Sequence, residues 1–334
     1  MNGFEKLKAD LKTGNISRLY LFYGEESYLK SYYLKRLEAL CASPFPDFDL
    51  IKLNGDALTS DDFRDAVESL PMGGGKKMIE VFDYPVFGNV PLKEELPDIL
   101  SDLPDHVCLV FVFDVLEYKP DKRLGIYKTV AKCGETVEFE KAGVSELKAW
   151  VKRRFAALSK DISDADCERM IFICGGLMTN LVTEIEKIAS GTQGKTVTAA
   201  DIEKMASRSL EAGVFDLTDR LSEGDAAKAL SVLSDLLDMK NEPVAIAAML
   251  TKHFKRLYGA KLGMERKMSE EQITELLGFR SSYPARIAMR SASRIPLEKL
   301  RWSQKLCLET DMALKSNNTD VKRALELLIL RLAA

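Results

Sequence analysis

The chain has 334 residues, 46% of them hydrophobic and 30% charged, with a formal net charge of -3. That length houses two or three domains, each with its own core, and the slightly acidic balance argues against a protein that grips DNA alone by neutralising phosphates. Cys41, Cys108, Cys133, Cys167, Cys174 and Cys307 are scattered with no C-x-x-C pair, and His106 and His253 stand apart. The pattern excludes a zinc ribbon, a disulfide framework and a histidine-rich metal site, leaving the cysteines as buried free thiols.

The opening stretch, MNGFEKLKADLK, predicts a short amphipathic helix through Phe4, Leu7 and Leu11. It lacks the apolar core of a signal peptide, and no apolar run nears the roughly 18 residues that span a bilayer. The cytoplasm is therefore the expected compartment. Strands are predicted at Leu19 to Tyr23, Phe48 to Leu53, Lys77 to Phe82, Val107 to Phe113 and Thr136 to Phe139. Several are unbroken apolar or β-branched runs, as in strands covered on both faces. A helix falls between two of them, with Thr59 and Asp62 in capping-box positions and Phe63, Ala66, Val67 and Leu70 along one face. This alternation predicts an α/β domain over residues 1–143, built on a parallel sheet with helical cover.

From Gly143 onward no further strand is predicted. Ser145 is placed to cap a helix bearing Leu147, Val151, Phe155 and Leu158, and further helices are expected near Ser163, near Met178 and after Thr198. Residues 144–210 thus read as a small all-α domain. A second all-α domain, 211–334, opens at Glu211-Ala212-Gly213 and includes a long helix from Pro243 to Leu262 and a last one from Asp320 to Leu332.

Two segments imitate a phosphate-binding loop. After the first strand comes Gly24-Glu25-Glu26-Ser27-Tyr28-Leu29-Lys30-Ser31, with leucine where G-x-x-x-x-G-K-[ST] requires its second glycine. The Leu29 side chain fills space that backbone N–H groups need to close around phosphates, and Glu25 and Glu26 set negative charge where the phosphates would lie. Asp83, at the end of the third strand, stands where an ATPase holds magnesium, but Tyr84 follows it in place of the second carboxylate. The other imitation, Ala189-Ser190-Gly191-Thr192-Gln193-Gly194-Lys195-Thr196, follows a helical pattern and not a buried strand, so it reads as a turn between helices.

Four stretches, LYLFYGEESYLKSYYLKRL, VESLPMGGGKKMIEVFD, VFDLTDRLSEGDAAKALSVLSDLL and LCLETDMALKSNNTDVKRALELLILRL, lie in order along nearly the whole chain. Together they resemble the delta subunit of the bacterial DNA polymerase III clamp loader. The resemblance implies an AAA+-like α/β domain, a helical lid domain over 144–210 and a helical collar domain over 211–334 that joins subunits. It implies no catalysis by the chain itself, which would act as a subunit of the polymerase III holoenzyme, and no cofactor. The zinc-binding cysteine cluster and Ser-Arg-Cys motif expected of the motor and delta-prime subunits are absent from the sequence.

The same resemblance implies a mechanical role. The family binds the sliding clamp and holds one ring interface open, within a loader that contains motor and delta-prime subunits and acts on primed DNA. The contact wedge maps to Leu70, Pro71 and Met72, with methionine standing where an aromatic is common. On the residues alone, Leu70 continues a helix face and fits a core position equally well, whereas Met72, between Pro71 and Gly73-Gly74-Gly75, fits an exposed tip. Lys76 and Lys77 fit a solvated strand entrance or contacts to an acidic clamp face. Lys152-Arg153-Arg154 fits the polar face of a helix, and Lys252, Lys255 and Arg256 fit either helix packing or a DNA-facing surface. Two other functions stay open: a P-loop ATPase using Lys30 or Lys195, and a scaffold that only joins subunits.

Overall fold

Five parallel strands organise the first part of the chain: β1 (Leu19–Tyr23), β2 (Leu50–Asn54), β3 (Lys77–Phe82), β4 (Val107–Val112) and β5 (Glu135–Glu138), in the spatial order β2-β3-β4-β1-β5. Every residue of β1 and β4 is buried, which is why both read as unbroken apolar runs. Alternate side chains serve opposite faces. Leu19, Leu21, Ile79, Val81, Leu109 and Phe111 belong to one core, and Tyr20, Phe22, Met78, Cys108, Val110 and Val112 to another. Helices α1 (Gly3–Thr13) and α2 (Ser27–Leu40) cover the second face through Leu7, Leu11, Leu34 and Leu37. The first is covered by α4 (Ser60–Glu68), α5 (Leu96–Ser101) and α6 (Gly125–Cys133), with one further turn, α3 (Pro46–Asp49), just before β2.

The computed structural model describes residues 2–88, 90, 92–115, 120–315 and 320–333. These fall into two compact units, one of residues 1–142 and 177–179, the other of 143–176 and 180–334. The second unit is mainly helical: α7 (Val144–Ala157), α8 (Asp164–Cys174), α9 (Met178–Gly191, whose first residues belong to the first unit), α10 (Ala199–Met205), α11 (Leu210–Ser222), α12 (Ala226–Asp238), α13 (Pro243–Glu265), α14 (Glu270–Leu276), α15 (Ser282–Arg294), α16 (Leu297–Lys315) and α17 (Val321–Ala333). Leu217, Leu233, Leu250, Leu257, Leu306 and Leu328 lie at the centre of its largest core.

Several expectations are corrected. Residues 46–49 form a helical turn with Pro46 in its first position, so β2 starts at Leu50 and Phe48 lies outside it, 60% exposed. Strands do not stop at Gly143: Asp161–Ile162 (β6) and Thr196–Val197 (β7) pair as a short parallel ribbon. Ser145 lies inside α7, whose N-cap is Gly143, without a side-chain cap. Thr59 does cap α4 by accepting the Asp62 N–H at 3.1 Å, while the Thr59 hydroxyl donates to the Asp62 carboxylate at 2.6 Å. Helix α4 ends at Glu68, which puts Leu70 outside the helix and not on its buried face.

Candidate protein-contact turn and the P-loop-like segment

The C-terminal ends of parallel strands are where open α/β sheets bind ligands, and here the described polar side chains Lys30 and Asp83 have partners within the protein at that edge. Lys30, in the first turns of α2, is 2% exposed. Its ammonium donates to the Phe113 carbonyl at 2.5 Å and pairs with the Asp114 carboxylate at 3.1 Å, both just beyond β4. Asp83, just beyond β3, accepts the backbone N–H groups of Asp114 and Val115 at 2.8 and 3.0 Å. It does so from a left-handed backbone (φ 51°), a strained conformation for a residue with a side chain. Tyr84 is buried beside it.

The loop glycine is also accounted for without a phosphate. Gly24 has φ +113°, and a Cβ there would collide with the Phe139 carbonyl. Glu26 is fully buried, and burial is the main cause that raises its carboxyl above the ordinary value. Glu25 pairs with Lys141. Ser31, the last position of the imitation loop, is exposed on α2, and Leu29 packs against the core beneath that helix. Gly24, Leu29, Lys30 and Ser31 thus lie at the β1–α2 junction, and the lysine is bonded to internal partners. The other imitation does not form a loop after a strand: α9 runs through Gly191, and Lys195 is 77% exposed and pairs with Asp161 at 3.2 Å. Among the described residues no group of histidine, cysteine, aspartate and glutamate side chains suits a metal ion.

At the other end of β3 the chain makes an exposed turn. Leu70 is 78% and Met72 59% exposed, Pro71 is half-buried between them, and Gly73, Gly74 and Gly75 follow in the open. Gly74 has φ +69°, and a side chain there would meet only open space, so its need for glycine is conformational. Two buried charges hold the turn. Asp49, 2% exposed, accepts the Met72 N–H at 2.8 Å through one carboxylate oxygen and the Gly73 N–H at 2.9 Å through the other. The Ser43 hydroxyl donates to the same carboxylate, and this bond, followed by the two N–H groups, keeps the Asp49 carboxyl below the ordinary range. Lys77, 1% exposed, donates to the Ser69 carbonyl at 2.9 Å and to the Ser69 hydroxyl, which in turn donates to the Asp65 carbonyl at 2.5 Å.

The sheet brings these two charges together. Leu50 of β2 pairs in register with Met78 of β3, so the residues just before them, Asp49 and Lys77, meet at the same edge. Lys77 is thus no solvated strand entrance; it is an internal strut, with burial lowering its ammonium below the ordinary range. Nothing in the local sequence marks Asp49 as its counterpart, because within Phe48 to Leu53 it reads as one more residue of a strand. Phe45 and Phe48, on the segment that carries Asp49, are 46% and 60% exposed.

The basic clusters divide. Arg256 pairs with Glu211 at 2.5 Å and lies 4.1 Å over the Phe279 ring, so it packs helices together; Lys252 and Lys255 are exposed. Lys152 pairs with Asp164, and Arg154 lies 5.6 Å over the Trp150 ring. No helix among the described residues is long and apolar enough to cross a membrane.

Residues 20–140 match the family described as DNA polymerase III, delta subunit, and residues 211–332 match the family described as DNA polymerase III delta subunit, C-terminal domain. The chain belongs to the DNA polymerase III delta subunit family. It is 23% identical over 329 residues to the DNA polymerase III subunit delta of Bacillus subtilis, covering 96% of this chain and 94% of that protein. It is 24% identical over 276 residues to the probable DNA polymerase III subunit delta of Aquifex aeolicus, covering 80% and 77% of the two chains. Among solved structures, the DNA clamp loader delta protein of Bacillus subtilis shares the fold, with a TM-score of 0.53 at 21% identity over 98% of this chain and 99% of that one. An AAA+-like sheet followed by a largely helical remainder is the architecture that membership in this delta family leads one to expect.

Proposed function

We propose that this delta-family chain is a non-catalytic clamp-loader subunit that binds the sliding clamp through Leu70, Pro71 and Met72 and holds it open for loading onto primed DNA. The observation that carries the reading is the exposure of Leu70 and Met72, 78% and 59%, on a turn whose backbone is held from below by buried charges. Large apolar side chains so exposed at a protruding turn suit insertion into an apolar pocket on a partner. Burying both would supply roughly 3 to 6 kcal/mol at about 1.5–3 kcal/mol each, before ordering costs.

In this reading the α/β domain engages the clamp, residues 144–210 act as the lid, and residues 211–334 form the collar that joins the motor and delta-prime subunits. The work is done in the cytoplasm, inside the assembled loader. The chain acts by prying, and nucleotide hydrolysis belongs to its partners.

The test is a binding titration of the purified chain against the sliding clamp of its own organism, alongside reconstitution with the motor and delta-prime subunits. Leu70→Ser combined with Met72→Ser should abolish clamp binding and leave loader assembly intact. Clamp binding that persists in the double variant would favour a scaffold that only joins subunits.

A further inference from the structure

The turn that carries Leu70 and Met72 ought, by composition, to be loose. Three consecutive glycines form its return arm, and glycine loses more backbone freedom on ordering than any other residue. A binding tip that had to be ordered on contact would lose affinity to that ordering. Yet both shoulders of this turn are tied to side chains shielded from solvent. On the return side, the two oxygens of Asp49 each take one backbone N–H, from Met72 and Gly73. On the outgoing side, Lys77 holds the Ser69 carbonyl and hydroxyl.

We infer that Asp49 and Lys77 are positioning residues, which hold the Leu70–Met72 turn in its partner-binding shape before any contact is made. Neither side chain is exposed, so neither touches the partner; both act through the backbone that presents the apolar tip. Their placement follows from the parallel β2–β3 register, which sets them side by side at the edge of the sheet beneath the turn. Packing around Gly73 adds to the constraint. A Cβ there would collide with the Ser43 hydroxyl oxygen and lie 3.0 Å from an Asp49 oxygen, so the return arm runs flush against the Asp49 segment. The carboxylate geometry is bidentate towards two successive N–H groups, an arrangement that fixes orientation as well as position.

This inference rests on the proposed clamp contact, and the experiment separates the two. The full chain and its Asp49→Ala, Asp49→Asn and Lys77→Met variants are titrated against the sliding clamp, with Leu70→Ser/Met72→Ser as reference. Amide hydrogen exchange at Met72 and Gly73 is followed in the free chain. Asp49→Ala should weaken clamp binding about tenfold through lost pre-organisation, speed exchange at both amides and leave assembly with the motor and delta-prime subunits unchanged. Asp49→Asn retains one acceptor oxygen and should fall between Asp49→Ala and the parent in both readouts; it carries the test if the alanine variant does not fold. Lys77→Met keeps the aliphatic stem, removes the donor to Ser69 and should weaken clamp binding as well. Undiminished affinity in an Asp49 variant whose Met72 and Gly73 amides exchange faster would overturn the positioning role alone. Undiminished affinity in the double serine variant would overturn the contact itself.

Discussion

Lys30 and Asp114 form an ion pair across the C-terminal edge of the sheet, 3.1 Å from ammonium to carboxylate, with the lysine buried and the aspartate half-exposed. The same ammonium donates to the Phe113 carbonyl. A lysine that in a P-loop enzyme would reach for phosphate here ties α2 to the end of β4. Burial by itself would raise the Asp114 carboxyl, but hydrogen bonds from Ser27 and Lys30 outweigh it and hold the group below the ordinary carboxylate range.

Lys30→Met should therefore behave as a stability variant. Removing the ammonium leaves the Phe113 carbonyl without this donor and Asp114 without its ion-pair partner, a loss of about 1–3 kcal/mol. Urea unfolding measures the loss, and an ATP titration of parent and variant should be flat in both. Submicromolar ATP binding by the parent that disappears in the variant would restore the ATPase reading.

Gly24→Ala should destabilise the chain through strain and not through any ligand. At φ +113° the backbone conformation alone costs a side-chain-bearing residue about 1–3 kcal/mol, and the added methyl runs into the Phe139 carbonyl. Thermal unfolding should show the drop. A variant as stable as the parent would mean that this loop relaxes freely, which its contacts speak against.

Glu80 should make stability depend on pH near neutrality. It is fully buried on β3, 3.0 Å from Lys52 of β2, and Lys52 also pairs with Glu38 of α2 at 2.8 Å. Burial first, and Glu38 second, push the Glu80 carboxyl up to about 7 from the ordinary 4.5, against the pull of Lys52. The folded value lies above the unfolded one, so the linked stabilisation is complete below 4.5 and lost as pH rises through about 7. Glu80→Gln, which mimics the protonated form, should raise the melting temperature relative to the parent more at pH 8 than at pH 5. Equal differences at the two pH values would contradict the assignment.

Leu70→Ser and Met72→Ser should leave the isolated chain nearly as stable as the parent, within about 0.5 kcal/mol each, because exposed side chains outside the core contribute little to folding. Equilibrium unfolding checks this. A drop of several kcal/mol would mean that Leu70 is packed as the helix pattern suggests, and not presented to solvent.

The alternation of strand and helix was legible because periodicity is a local property. β1 and β4 are unbroken apolar runs, and Phe63, Ala66 and Val67 mark the buried face of α4. Leu70 read two ways on that same ground: it lies in phase with the helix, but the helix stops two residues earlier, ahead of Pro71, which cannot continue it. Phe48 misled, as an apolar residue next to a strand that nevertheless stays in solvent. The short β6–β7 pair escaped notice because two-residue strands carry no period.

By itself the sequence determined that leucine stands at position 29 in place of the second P-loop glycine, with two acids beside it, and that something apolar stands beside a run of glycines. Only the tertiary structure decided where the charges go. Lys30 meets Asp114 and Asp49 meets the Met72 backbone because parallel strands bring distant segments to a common edge. A buried ion takes whichever partner the sheet register delivers, and that register is set by the whole core and not by the residue's neighbours in the chain.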